Sequence, residues 1–170
     1  ASNMLAEYLG TNLSKVVNEL NKLAIILPKG SVITPQIIEE NIGISKDFNV
    51  WELNGALNKK DIKKANMIIN YFEANPKSNP IQMVIPSIYS NFSKILMYQS
   101  LKNKSDAPKE LGINPYFIND TKQAAAHYPA AKLERILSYL RETDKKSKGV
   151  DNYSATNGEL MKELVFKILH

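Results

Sequence analysis

The sequence predicts an all-α fold. Apolar residues recur at helical spacing in nearly every segment, and no alternating run long enough for a strand appears. Pro, Gly, Asn, Asp and Thr stand where one periodic stretch gives way to the next, as helix caps and stops require. The chain has 170 residues and 44% hydrophobic content, enough for one domain or two small ones, each with a core.

Taken in order, Asn12 caps a helix whose apolar face is Leu13, Val16, Val17, Leu20, Leu23, Ala24 and Leu27, and Pro28 and Gly30 stop it. Val32 and Ile33 form a short extended piece. Thr34 caps a second helix with Pro35 at its first position, where a missing N–H costs nothing; Ile37, Ile38 and Ile42 face inward, and Gly43 ends it. Ile44 to Asn49 reads as a linker and domain boundary. Asn49 and Glu52 have capping-box spacing and start a helix at Val50, with Leu53, Ala56 and Leu57 inward. Asp61 caps the next helix, whose buried face is Ile62, Ala65, Ile68, Ile69 and Phe72.

Asn79-Pro80 opens a long helix from Ile81 to about Lys102, with Val84, Ile85, Ile88, Tyr89, Phe92, Ile95 and Leu96 on one broad face. Pro86 inside it is expected to kink or restart the helix. A short helix spans Asp106 to Leu111 and ends at Gly112; another runs from Asn114-Pro115 to about Tyr128. Pro129 separates that one from Ala130 to Thr143, striped by Leu133, Ile136, Leu137 and Leu140. Asp144 to Tyr153 is expected to be an exposed loop. Thr156 and Glu159 form a capping box for the last helix, with Leu160, Met161, Leu164, Val165 and Ile168 apolar and Glu163–Lys167 a favourable i,i+4 pair.

Composition narrows the function classes. There is no cysteine, which excludes disulfides and thiolate chemistry and fits a reducing cytoplasm. The longest apolar run, Leu23 to Leu27, is far short of the ~20 residues that span a bilayer, so no membrane role is expected. The start lacks a basic region followed by an apolar stretch, so no signal peptide is expected, and Ala1-Ser2-Asn3 carries no fold meaning. A net charge of +5 is a mild positive field. The basic residues are nearly all lysine; only Arg135 and Arg141 are arginine, which speaks against base-specific reading.

No chemical site is visible. There is no Gly-rich phosphate loop, dinucleotide fingerprint or nucleophile elbow, and no cofactor is expected. His127 and His170 are isolated, and His127 reads as a helix-end residue beside the C-terminal dipole. Glu39 and Glu40 diverge by about 100° on a helix and read as a solvated face. Trp51, the only tryptophan, reads as a buried anchor packing the linker onto the second domain, with partner contact as the second reading. Tyr89, Phe92 and Tyr98 read as core rather than as a base-stacking platform. Lys145, Lys146 and Lys148 read as a solvated loop, or alternatively as a contact to phosphate or to a neighbouring subunit.

Two segments carry more. Glu7-Tyr8-Leu9-Gly10-Thr11-Asn12-Leu13-Ser14-Lys15 runs into Asn18-Glu19-Leu20-Asn21-Lys22-Leu23. Later comes Ile42-Gly43-Ile44-Ser45-Lys46-Asp47-Phe48-Asn49-Val50-Trp51-Glu52-Leu53. With Lys63-Lys64-Ala65-Asn66-Met67-Ile68, Leu111-Gly112-Ile113-Asn114-Pro115-Tyr116-Phe117, and Thr143 to Gly149 followed by Leu160 to Leu169, they resemble the delta subunit of the bacterial DNA polymerase III clamp loader. The resemblance covers almost the whole chain.

It implies the end of an AAA+ helical lid over residues 1–45 and a helical collar over 50–170. Asp47, Phe48 and Trp51 would lie at the linker or hinge. It implies partners: other clamp-loader subunits through the collar, the sliding clamp only through an N-terminal module that this sequence lacks, and DNA through the assembled complex. The chain would begin mid-protein, in the cytoplasm, without catalytic activity; any polymerase label would belong to the holoenzyme. The alternatives are the collar of another clamp-loader or AAA+ subunit, and a free-standing helical nucleic-acid-binding module.

Overall fold

A computed structural model describes Leu5, residues 13–41 and residues 48–170. Among these residues there are nine α-helices and two short 3-10 turns, and no strand. The chain divides into two compact units, Ala1–Asp47 and Phe48–His170. Asn12, the expected first cap, and Ile42 to Asp47 lie outside the described residues, as do the side chains of Glu39 and Glu40.

In the first unit, α1 (Leu13–Ile26) and α2 (Pro35–Asn41) are joined by a turn at Pro28. There Ser31 donates both its N–H and its hydroxyl to the Pro28 carbonyl, and Gly30 takes φ +87°, where a side chain is disfavoured. Thr34 caps α2 through Oγ1, which accepts from Ile37 N at 3.3 Å. Leu23 and Ile38 are buried, but Leu13, Val17 and Ala24 of the expected apolar face of α1 are exposed. The stripe is amphipathic, and two short helices do not cover all of it.

The second unit is a helical bundle. Its elements are α3 (Val50–Asn58), α4 (Ile62–Ala74), α5 (Ile81–Ser100), α6 (Ala107–Glu110), α7 (Ile118–His127), α8 (Ala130–Ser147) and α9 (Asn157–Leu169), with 3-10 turns at Lys104–Asp106 and Pro115–Phe117. The long α5 packs on α8, α7 and α3, while α9 closes the bundle against α4 and α8. Leu53, Leu57, Ile68, Phe72, Ile88, Phe92, Leu133, Ile136, Leu164 and Ile168 meet in one core. Each large apolar side chain taken from water there contributes roughly 1.5–3 kcal/mol before entropic offsets.

Local grammar explains the helix ends. Asn49 Oδ1 accepts from Trp51 N and Glu52 N at 2.9 and 3.0 Å. Asp61 Oδ1 accepts from Lys64 N at 2.9 Å. Thr156 and Glu159 complete a capping box at α9. Three helices end in the same six-residue wrap, in which the N–H two beyond the cap reaches back to an orphan carbonyl: Ile113 to Pro108, Val150 to Lys145 and Asp61 to Ala56. The first two place Gly112 and Gly149 at positive φ; the third places Lys60 there, at +52°.

Two expectations are corrected. Of the two outcomes expected at Pro86, the restart does not occur: α5 is continuous from Ile81 to Ser100. Pro86 is exposed one turn beyond exposed Gln82, so the carbonyl it leaves without a donor has water to turn to. The expected loop from Asp144 is helical as far as Ser147. Lys145 and Lys146 are in the last turn, where cations compensate the dipole, and Lys148 pairs with Asp144 at 2.6 Å one turn back.

Candidate interaction surface

The most constrained point of the bundle is Tyr128, between α7 and α8. Its ring is fully buried and lies edge-on to Phe92, centroids 5.2 Å apart. Its hydroxyl donates to the Leu57 carbonyl at 2.6 Å, and burial pushes that hydroxyl well above the usual tyrosine range. Gln99 on α5 donates to the carbonyls of Ala125 and Tyr128 at 2.8 and 2.7 Å. Asn58 and Asn91 exchange amide bonds at 3.3 and 2.7 Å, fixing α3 on α5. His127, the last residue of α7, places Nδ1 2.9 Å from the Asn58 carbonyl, a helix-end residue with a tertiary partner.

At the start of the bundle, Phe48 rather than Trp51 is the anchor. Phe48 packs on the core and lies edge-on to Tyr71 at 5.6 Å. Trp51 is 48% exposed, contrary to the expectation of a buried residue. In the first turn of α3 it lies away from the side that buries Leu53 and Leu57. Asp47, the third expected hinge residue, lies outside the described residues.

Lys145, Lys146 and Lys148 are brought together at the end of α8, with Lys145 3.8 Å from Asp151 and Lys148 on Asp144. Asn152 clamps the turn beneath them, donating to the carbonyls of Lys146 and Ala155. Two of the three charges thus already have a carboxylate within 4 Å, and Lys146 has Glu163 as a more distant acidic neighbour.

The outer face of α5 is different. Met83 is 68% exposed, Tyr89 52% and Met97 51%, so Tyr89 is not core as expected, whereas Phe92 and Tyr98 are buried. Gln82, Pro86 and Ser90 are exposed on the same helix, and Lys94 is its only charged residue over 20 positions. A solvated face normally carries charge at this spacing.

No group of three or more His, Cys, Asp or Glu residues placed to hold a metal occurs among the described residues, and none of their helices is long and apolar enough to cross a membrane. An apolar hollow in the first unit is lined by Leu20, Leu23, Leu27 and Ile33.

The family profile for the C-terminal domain of the DNA polymerase III delta subunit matches residues 47–166, the second unit almost from end to end. The chain belongs to that family. No curated protein matches it. As a delta C-terminal domain it is a region of a clamp-loader protein, built entirely of helices over its described residues. Sequence signals are strongest where the delta match runs, from the Asn49 cap to the capping box of α9. The outer face of α5 escapes sequence reasoning; the signal available for it is a 20-residue helix with a single charge.

Proposed function

We propose that this chain is a non-catalytic scaffold: the collar of a delta subunit, which joins neighbouring subunits into the ring that loads the sliding clamp during DNA replication. In this reading residues 1–45 are the end of the helical lid, 50–170 are the collar, and the segment around Asp47 is the pivot between them. Action in the cytoplasm and contact with DNA through the assembled complex follow from the same role.

The observation that carries the reading is the outer face of α5. Met83, Tyr89 and Met97 stand exposed along a helix of roughly 30 Å with one charge on it. Exposed apolar residues gathered on a nearly uncharged helix face mark protein contacts, and Met and Tyr are both enriched at interface centres. Exposed Trp51 adds a second apolar contact on α3. Lys145, Lys146 and Lys148 are proposed as a polar contact to a neighbouring subunit, strengthening assembly without forming its centre.

Co-elution tests the reading. The chain is mixed with the other clamp-loader subunits of the same source and resolved by size exclusion with light scattering. Entry into a stoichiometric complex is the expected result. A well-folded chain that stays apart from them would overturn the scaffold role.

A further inference from the structure

Asparagine is followed by glycine twice in the chain, at Asn54-Gly55 and at Asn157-Gly158. Such a pair carries its own reaction. The backbone nitrogen of the glycine attacks the carbonyl carbon of the asparagine side chain; a C–N bond forms, the N–H proton is lost and the side-chain nitrogen leaves as ammonia. Water then opens the cyclic imide at either carbonyl, giving aspartate or isoaspartate. Glycine favours the attack because no side chain crowds the approach and its backbone turns most freely. The attack needs a glycine N–H outside a hydrogen-bond ladder, an asparagine side chain free to swing, and a peptide able to leave helical geometry.

The structure separates the two pairs. Asn54 is 5% exposed, and its Nδ2 donates to Ser87 Oγ at 3.1 Å. Gly55 lies in the middle of α3, where the helical ladder takes its N–H. Attack at Asn54 therefore requires α3 to come off the core. Asn157 is exposed, is the first residue of α9, and its side chain has no hydrogen-bond partner among the described residues. Ser154, four residues before Gly158, precedes the helix, so the Gly158 N–H is one of the orphan donors of the first turn. The Thr156 hydroxyl does not take it, accepting from Glu159 N at 3.2 Å instead. At this pair only the first turn has to fray.

Packing fixes the glycine. A Cβ at position 158 would lie 2.6 Å from Glu73 Cγ and 3.0 Å from Glu73 Oε1, and Lys162 holds Glu73 there at 2.5 Å. The seat of α9 on α4 thus retains the residue that makes Asn157 reactive. We propose that Asn157 is a site of spontaneous deamidation, at which the folded chain converts to aspartate and isoaspartate. Aspartate places a carboxylate in the first turn, where the helix dipole favours it, beside Glu159. Isoaspartate inserts an extra backbone carbon between Thr156 and Gly158. That moves Gly158 off Glu73 and the Thr156 cap off Glu159, loosening the start of the helix that closes the bundle. The site is separate from the α5 face and does not rest on the scaffold role.

The test is incubation of the 170-residue chain near neutral pH, folded and in urea. Peptide mapping by mass spectrometry follows each asparagine, and an isoaspartyl carboxyl methyltransferase with labelled S-adenosylmethionine counts isoaspartate. In urea both pairs are expected to convert at similar rates. Folding is expected to slow Asn54 at least about tenfold more than Asn157, because opening a core helix costs far more than fraying a helix end. Glu73→Ala keeps the pair and is expected to leave Asn157 reactive. Adding Gly158→Ala, for which Glu73→Ala makes room, is expected to slow Asn157 at least about tenfold, with circular dichroism checking the fold. Asn157→Gln is expected to accumulate much less isoaspartate. Protection of Asn157 as strong as that of Asn54, equal conversion with and without Gly158→Ala, or undiminished isoaspartate in Asn157→Gln would each overturn the proposal.

Discussion

The hydroxyl of Tyr128 donates to the carbonyl of Leu57 across 2.6 Å, tying the junction of α7 and α8 to the end of α3 inside the core. Tyr128→Phe keeps the ring against Phe92 and removes one of the two donors to the Leu57 carbonyl, leaving the Lys60 N–H at 3.0 Å. We expect a loss of about 1–2 kcal/mol in urea unfolding with an unchanged m-value. Burial raises the folded Tyr128 pKa above its unfolded value near 10, so the folded state holds this proton more tightly. That stability is present below about pH 10 and is lost as pH rises beyond it. Stability measured from pH 9 upward should fall less steeply in the Phe variant than in wild type.

Phe48 and Trp51 separate folding from contact. Phe48→Ala removes a ring packed on the core and on Tyr71, and should cost about 2–3 kcal/mol. Trp51→Ala removes a half-exposed ring and should change stability by less than about 1 kcal/mol. Thermal melts of both variants check the order, and a reversed order would return the anchor to Trp51.

The start of α9 rests directly on Glu73. A Cβ at Gly158 would come 2.6 Å from Glu73 Cγ, and Glu73 is also the partner of Lys162 at 2.5 Å. Gly158→Ala gains helix propensity and displaces Glu73. It should therefore destabilise the wild-type chain modestly and stabilise a Glu73→Ala chain by about 0.5–1 kcal/mol, a sign change that a double-mutant cycle reads.

The capping box sets the acid limit of the same helix. Thr156 N and Oγ1 both donate to Glu159, at 2.7 and 2.9 Å, and these bonds hold the Glu159 carboxyl below its usual range. A depressed folded pKa adds stability above the unfolded value near 4.3 and loses it as pH falls through the folded one. Thr156→Ala should cost about 1 kcal/mol near neutrality, and less of its stability should remain to be lost on acidification.

Caps, stops and the core stripe are legible in the sequence because they follow from short-range chemistry: Asn49, Asp61 and Thr156 cap as their side chains dictate, and Phe72, Ile88, Leu133 and Leu164 fall on the inward period. Trp51 misleads because its size suggests burial, while its place in the first turn of α3 turns it outward. Pro86 misleads because sequence shows the lost N–H and not the exposed carbonyl side that tolerates the loss. The length of α8 depends on a wrap closed by Gly149 and on Asn152 beneath it, both well past the last residue of the apolar stripe.

The central claim is that the outer face of α5 is buried by a neighbouring subunit. Because the chain has no cysteine, Met97→Cys creates its only thiol. The rate of its reaction with a maleimide is measured free and after mixing with the other clamp-loader subunits, with Lys77→Cys as the comparison site. The account predicts at least about tenfold protection of position 97 on assembly and little at position 77. Equal reactivity of Met97→Cys in the free chain and in a complex shown to contain it would contradict the claim.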